Sequence, residues 1–121
     1  MTIEGLMKKN GSPAAPMPGQ DRPNVLPLKG EIDLHVSPAV TASLNAMIEK
    51  KPQRLVVDLS HVTYIDSAGL AALIGAMQNV ESYGGQFLLA GLQETVRSIF
   101  EISRLDQVFQ IFPDVDAALA G

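Results

Sequence analysis

The adjacent residues Asp66 and Ser67 are the part of the sequence best suited to chemistry. They lie in YIDSAGLAALIGAM, residues 64–77, between a stretch typical of a buried strand and a stretch typical of a helix. A carboxylate and a hydroxyl at such a junction suit three roles: a helix cap, a catalytic nucleophile, or a serine that another protein phosphorylates.

The first role is structural. Aspartate and serine are favoured just before a helix, because their side-chain oxygens accept hydrogen bonds from the free N–H groups of the first turn. Position alone therefore predicts a cap at Asp66-Ser67. A cap is compatible with either of the other two roles.

The second role is that of a nucleophile, and the surrounding residues argue against it. IDSAG is similar to the Gly-Asp-Ser-Gly of trypsin-like proteases and to half of G-x-S-x-G, but Ile65 stands where the strained elbow requires glycine. His35 and His61 both precede Ser67, which is the wrong order for a hydrolase of that fold. These histidines and Asp33 are an equally weak candidate for a metal site. We therefore expect no catalytic residue, no metal and no cofactor, and predict that the protein is not an enzyme.

The third role is that of a phosphoacceptor. A serine in the first turn of a helix is expected to be exposed, and the helix dipole tolerates a phosphate there. Gly69, Ala72 and Ala76 follow at helical spacing and are predicted to form one outward ridge of small residues, on which another protein could dock a helix closely. A phosphate on Ser67 would then oppose docking through its charge and its desolvation. The alternative is that the small residues face a neighbouring helix of the same domain.

Composition limits the remaining possibilities. The chain has 121 residues, 46% apolar and 18% charged, which predicts one globular domain. The net charge of −4 without a basic stripe argues against direct nucleic-acid binding, and the absence of cysteine excludes disulfides and zinc–thiolate sites. The longest apolar run, 68–77, is about half of the roughly 20 residues that a membrane span needs. We expect a cytoplasmic protein without membrane insertion.

The N-terminal residues 1–23 are predicted to form a flexible tail, because they are rich in Gly, Pro and Met and have no apolar period. A short strand within MTIEGL is a weaker prediction. Pro27, just after the tail, predicts an edge strand or a break.

Strands and helices are predicted to alternate along residues 24–121. Ser37 is expected to be the N-cap of the first helix, with Pro38 in its first turn. The run 54–60 reads as an inner strand covered on both faces. The predicted elements are one or two strands within 24–35, a helix 38–50, a strand 54–60, a helix from Leu70 to Gly84-Gly85, a strand 86–91, a helix within 92–105, a strand 107–112 and a short helix 114–119. This order indicates an α/β fold with largely parallel pairing from residue 54 onward.

Three motifs in order resemble the STAS domain of anti-sigma factor antagonists. KGEIDLHVSPAV is similar to the Gly-Glu-Leu-Asp strand and following helix of that family, and RLVVDLSHVTYIDSAGLAALIGA to its central strand and Asp-Ser-x-Gly-Leu signature. GGQFLLAGLQETVRSIFEISRLDQVFQIF resembles its C-terminal half. The resemblance runs from Asn24 to the end of the chain, so residues 24–121 are predicted to be the STAS domain.

The resemblance implies a mixed β-sheet of four to five strands flanked by about four helices. It implies that Ser67 is phosphorylated by a serine kinase of the histidine-kinase-like ATPase fold that is also the anti-sigma factor. The unphosphorylated form would bind this kinase and release its target, and a PP2C-type phosphatase would restore that form. The residues expected to contact the partner are Asp33, Asp66, Ala68, Gly69, Ala72 and Ala76.

Some features leave alternatives open. Ala68 stands where the family usually has a second hydroxyl, which removes a second modification site but keeps the first. Asp33 could merely cap a turn, and Leu70 is chiefly a core residue. An alternative function is that of a STAS subunit of a lipid-transport ABC complex, which would brace its ATPase without modification of Ser67.

Overall fold

The computed structural model describes residues 22–121, which form four β-strands and four α-helices. The strands and helices alternate because each apolar strand is followed by an amphipathic segment that covers it. In chain order the elements are β1 (Val25–Ile32), α1 (Ser37–Ile48), β2 (Arg54–Ile65), α2 (Ser67–Ser82), β3 (Gln86–Ala90), α3 (Glu94–Ile102), a 3₁₀ turn (Leu105–Gln107), β4 (Gln110–Phe112) and α4 (Val115–Ala120).

The four strands form one sheet in the order β1-β2-β3-β4, and each neighbouring pair is parallel. This confirms the predicted α/β class and the parallel pairing from residue 54 onward. The four described strands and four helices fall within the predicted numbers, and the mixed pairing that the resemblance implies is not seen within residues 22–121. Because every connection between parallel strands contains a helix, the carboxyl ends of the strands and the starts of α1 and α2 meet at one edge.

Strand β2 lies at the centre of the hydrophobic core. Its residues 55–59 are all buried; Leu55, Val57 and Leu59 belong to one apolar layer and Val56 to the other. Helices α1, α2 and α3 cover one face of the sheet, around Leu44, Leu73 and Phe100, while α4 covers the other face with Ala118. The prediction of an inner strand covered on both faces is therefore confirmed.

Several predicted boundaries shift. Strand β2 continues to Ile65 and α2 begins at Ser67 rather than Leu70, because the chain turns directly from sheet to helix at Asp66. The prediction that Ser37 caps α1 is wrong: Val36 occupies the cap position without a side-chain hydrogen bond, and Ser37 is already helical.

Strand β1 is a single strand and ends the sheet within the described residues, as Pro27 predicts. Its pairing with β2 shifts register after Pro27 and again after Gly30, whose φ of +82° favours glycine. The predicted tail lies outside the described residues except for Arg22 and Pro23, and Arg22 forms an ion pair with Asp116. The weaker strand prediction within MTIEGL also lies outside them.

Within residues 22–121, no helix combines the length and the hydropathy needed to cross a bilayer.

Candidate partner-binding site

The carboxyl ends of β1 and β2 lie side by side. Ile32 and Ile65 are register partners, and the backbone N–H of Asp66 donates to the carbonyl of Ile32 at 3.0 Å. Asp33 and Asp66 follow these two residues and so leave the sheet at the same edge. In parallel α/β sheets, ligands bind at this edge.

Asp66 caps α2, as its position in the sequence predicts. Its Oδ1 accepts hydrogen bonds from the backbone N–H groups of Ala68 at 2.9 Å and Gly69 at 3.1 Å. Its Oδ2 accepts a third hydrogen bond, from the N–H of Leu34 at 3.2 Å. One carboxylate therefore joins the first turn of α2 to the loop between β1 and α1.

Ser67 is the first residue of α2 and is exposed. Because Asp66 supplies the cap, the hydroxyl of Ser67 is not needed to satisfy the first-turn N–H groups. The expected exposure of this serine is confirmed, and the hydroxyl lies at the positive end of the helix dipole.

Asp33 caps the turn that follows β1. Its Oδ1 accepts hydrogen bonds from the N–H groups of His35 at 2.9 Å and Val36 at 3.3 Å. The structure therefore shows the turn-capping role that the sequence left open. The Asp33 side chain is still 37% exposed beside Asp66 at the edge of the sheet.

The structure pairs neither histidine with Ser67 within the described residues. The ring of His35 is 92% exposed and lies 3.9 Å from Asp33, and the Nδ1 atom of His61 lies 3.1 Å from the hydroxyl of Ser60. Residues 22–121 also contain no group of three or more His, Asp or Glu side chains placed to hold a metal ion.

The predicted outward ridge is wrong at two of its three positions. Gly69 is buried, and a Cβ atom there would lie 2.6 Å from Cγ1 of Ile65 and 2.8 Å from Cγ2 of Ile32. Ala76 is only 4% exposed. Both residues point inward because the first turns of α2 cross closely over the ends of β1 and β2 and then pack against α1.

The accessible small residues of α2 instead line a groove of about 390 Å³ between α1 and α2. Three of the predicted partner-contact residues line this groove: Ala68, Ala72 and Ala76. Thr41 and Asn45 of α1 form the opposite wall. Ala72 and Ala76 therefore face a neighbouring helix of the same domain, which is the alternative that the sequence left open, whereas Gly69 lies against the ends of β1 and β2. Ala71, Gly75 and Asn79 also line this groove and were not predicted.

Leu34 lies beside Asp66, and the sequence did not predict its exposure. It is 70% exposed, although its backbone N–H is bonded to Asp66. The sequence placed it within the predicted strand region 24–35, whereas β1 ends at Ile32. Asp33, which follows the apolar run, could have indicated that the strand ends before Leu34, because aspartate often ends a strand in a turn.

Comparison with known proteins gives consistent results. The STAS domain family model matches residues 14–118. The chain is 33% identical over 82 residues to the anti-sigma-B factor antagonist of Listeria monocytogenes, covering 68% of this chain and 72% of that protein. It is 29% identical over 97 residues to the anti-sigma-F factor antagonist RsfB of Mycobacterium tuberculosis, covering 80% and 79%.

A solved structure agrees in fold. The crystal structure of an anti-sigma factor antagonist from Mycobacterium paratuberculosis superposes with a TM-score of 0.75 and 29% identity, covering 84% of this chain and 87% of that one. Together with a family-model match over most of its length, this likeness shows that the chain belongs to the STAS domain family.

Proposed function

We propose that the protein is an anti-sigma factor antagonist that switches partners through phosphorylation of Ser67. The unphosphorylated form binds an anti-sigma factor that is also a serine kinase of the histidine-kinase-like ATPase fold, and binding releases the kinase's target. Phosphorylation ends this binding, and a PP2C-type phosphatase restores the binding form. The protein acts by docking and performs no catalysis of its own.

The observation that carries the proposal is the exposed hydroxyl of Ser67 next to a helix cap made by another residue. A kinase can reach this hydroxyl without unfolding the helix, because Asp66 holds the first turn. The relatives named as anti-sigma factor antagonists support the same role.

Charge explains how one phosphate can act as a switch. A phosphate on Ser67 adds a charge of about −1.5 to −2 at neutral pH. It would stand beside the carboxylates of Asp66 and Asp33, on a surface that must lose water when the partner docks. Burying such a group without a matching cation costs several kcal/mol, and a loss of roughly 3–4 kcal/mol weakens binding a few hundred-fold. No change of fold is required.

The test begins with phosphorylation by the purified kinases of this fold from the source organism, with Mg-ATP and mass spectrometry. We expect one kinase to add one phosphate to wild-type protein and none to Ser67→Ala. Ser98→Ala is the matched control, since Ser98 is another exposed helical serine, on α3. This variant should be phosphorylated at Ser67 as wild type is.

Binding completes the test. Ser67→Ala should bind that kinase as wild type does, and Ser67→Glu should bind at least a hundred-fold more weakly. Modification at another residue would contradict the proposed switch. Absence of modification by every such kinase would favour the bracing role in a lipid-transport ABC complex instead.

A further inference from the structure

A leucine side chain stands in solvent beside the proposed phosphorylation site. Leu34 is 70% exposed, and its backbone N–H is bonded to the carboxylate of Asp66, the residue before Ser67. Single exposed apolar side chains are common on protein surfaces and need no explanation by themselves. The position of Leu34 and the way its backbone is held distinguish it from such residues.

The loop that carries Leu34 is fixed by hydrogen bonds on both sides. The N–H of Leu34 donates to Asp66, the N–H of His35 donates to Oδ1 of Asp33, and the N–H of Val36 donates to the carbonyl of Asp33 at 3.2 Å. The side chain therefore extends from an ordered backbone. A pre-organised contact residue loses little conformational entropy when a partner binds, which favours affinity.

The footprint of a kinase on this surface would include Leu34. Phosphate transfer requires the kinase to place the γ-phosphate of ATP against the hydroxyl of Ser67. A standard interface covers about 800 Å² on each partner, which corresponds to a disc of about 16 Å radius. Leu34 is bonded to the residue adjacent to Ser67, so a footprint centred on that hydroxyl contains it.

The sheet edge beside Leu34 carries several carboxylates and the exposed ring of Tyr64. Glu31, Asp33 and Asp66 supply carboxylates at the ends of β1 and β2, and Leu34 supplies an apolar projection among them. A few side chains that fill well-packed, fully desolvated pockets near the centre of an interface carry most of its binding energy.

We infer that Leu34 is an apolar anchor that enters a hydrophobic pocket of the kinase beside its ATP site and helps determine which kinase the protein binds. This inference rests on the proposed function and adds a residue to its docking surface. The occupied pocket excludes water around Ser67, which makes a phosphate at that position harder to accommodate.

The experiment measures affinity for the kinase that phosphorylates Ser67, by calorimetry with ADP present. Leu34→Ser should weaken binding about 10- to 100-fold, as expected from exposing one leucine side chain to water. Leu34→Met should bind nearly as wild type does, because methionine is also apolar and has a similar volume. Thermal unfolding of both variants should match that of wild type, since Leu34 is exposed in the free protein.

Ile102→Ser is the matched control. Ile102 is 84% exposed, but it ends α3, which runs back from the carboxyl end of β3 toward the amino end of β4 and so away from Ser67. Its substitution should leave affinity unchanged.

The outcomes separate the inference from the proposed function. If Ser67→Glu abolishes binding while Leu34→Ser binds as tightly as wild type, the anchor is wrong and the switch stands. An equal loss in Ile102→Ser would also overturn the anchor. If Ser67→Glu binds like wild type, the proposed function fails and the anchor with it.

Discussion

Asp66 joins Leu34 to the helix that begins at Ser67. Its Oδ2 atom accepts the N–H of Leu34 at 3.2 Å, while its Oδ1 atom accepts the N–H groups of Ala68 and Gly69. The position of the loop relative to the helix thus depends on a carboxylate with two accepting oxygens. A side chain with a single acceptor cannot make both connections.

We predict that Asp66→Asn separates these two connections. Its one carbonyl oxygen can keep the cap, but its amide nitrogen then faces the N–H of Leu34, donor against donor. The free energy of unfolding should fall by about 0.5–1.5 kcal/mol, the usual net value of a hydrogen bond. Asp66→Ala should lose a further 1 kcal/mol or so, since it also removes the cap. Urea denaturation measures both values.

Asp114→Asn is the control for the Asp66 variants. Asp114 caps α4 through Ala117 at 2.7 Å and, within residues 22–121, its carboxylate bonds to no distant loop. Its replacement by asparagine should leave stability and kinase affinity nearly unchanged, because asparagine is as good a cap. Equal losses of stability in the two asparagine variants would contradict the special role of Asp66.

Gly69 and Gly75 form a natural pair for testing how α2 is seated. A Cβ atom at Gly69 would clash with Ile65 and Ile32, whereas one at Gly75 meets nothing within 4 Å. We predict that Gly69→Ala destabilises the protein by about 1–3 kcal/mol through overpacking. Gly75→Ala should instead stabilise it by about 0.5–1 kcal/mol, because alanine favours a helix interior.

Denaturation curves of the two alanine variants give opposite signs if this packing is correct. Gly69→Ala should also weaken kinase binding, because the first turn of α2 must move away from the sheet and carries Ser67 with it. A Gly69→Ala protein as stable as wild type would show that α2 does not cross the strand ends as closely as described.

One local feature of this site, the cap at Asp66, was predictable from the sequence, and the features that depend on packing were not. The cap at Asp66 was predicted because a carboxylate reaches N–H groups only two and three residues ahead. The inward positions of Gly69 and Ala76 were not predicted, because they depend on how α2 crosses β1, β2 and α1. Helical spacing shows which residues share a face but not what that face contacts.

The start of α1 was mispredicted for a different reason, which lies in a neighbouring turn and not in packing. The serine and proline at 37 and 38 predicted a cap at Ser37, yet the helix already includes that residue. Asp33 is the reason: its carbonyl accepts the N–H of Ser37 at 2.9 Å, and its side chain accepts that of Val36. The same turn ends β1 early and leaves Leu34 outside the strand, so the missed anchor residue and the misplaced cap have one cause.

Ser67→Ala should leave the fold and its stability unchanged. Both cap hydrogen bonds of α2 belong to Asp66, and the serine side chain is exposed. The free energy of unfolding should therefore stay within about 0.5 kcal/mol of wild type, as for other surface substitutions. A larger fall, measured by urea denaturation, would mean that the hydroxyl has a structural role, and binding data for Ser67 variants would then need correction for misfolded protein.

The other end of α2 offers a prediction that depends on pH. The hydroxyl of Tyr83 donates to the carbonyl of Pro52 at 2.8 Å, and burial raises the pKa of this phenol above its ordinary value of 10.0. A pKa raised in the folded state means that the stabilisation is fully present below pH 10 and is lost as the pH rises through the folded value.

Tyr83→Phe isolates that contribution. At pH 8 the variant should be less stable than wild type by about 0.5–1.5 kcal/mol, because the carbonyl of Pro52 loses its donor. The difference between the two proteins should shrink above pH 10, since only wild type has a phenol at this position to ionise. All other side chains are the same in both proteins, so their contributions cancel in the difference. Urea denaturation between pH 8 and pH 11 measures it, and a constant difference over that range would show that the phenol of Tyr83 does not titrate with a raised pKa.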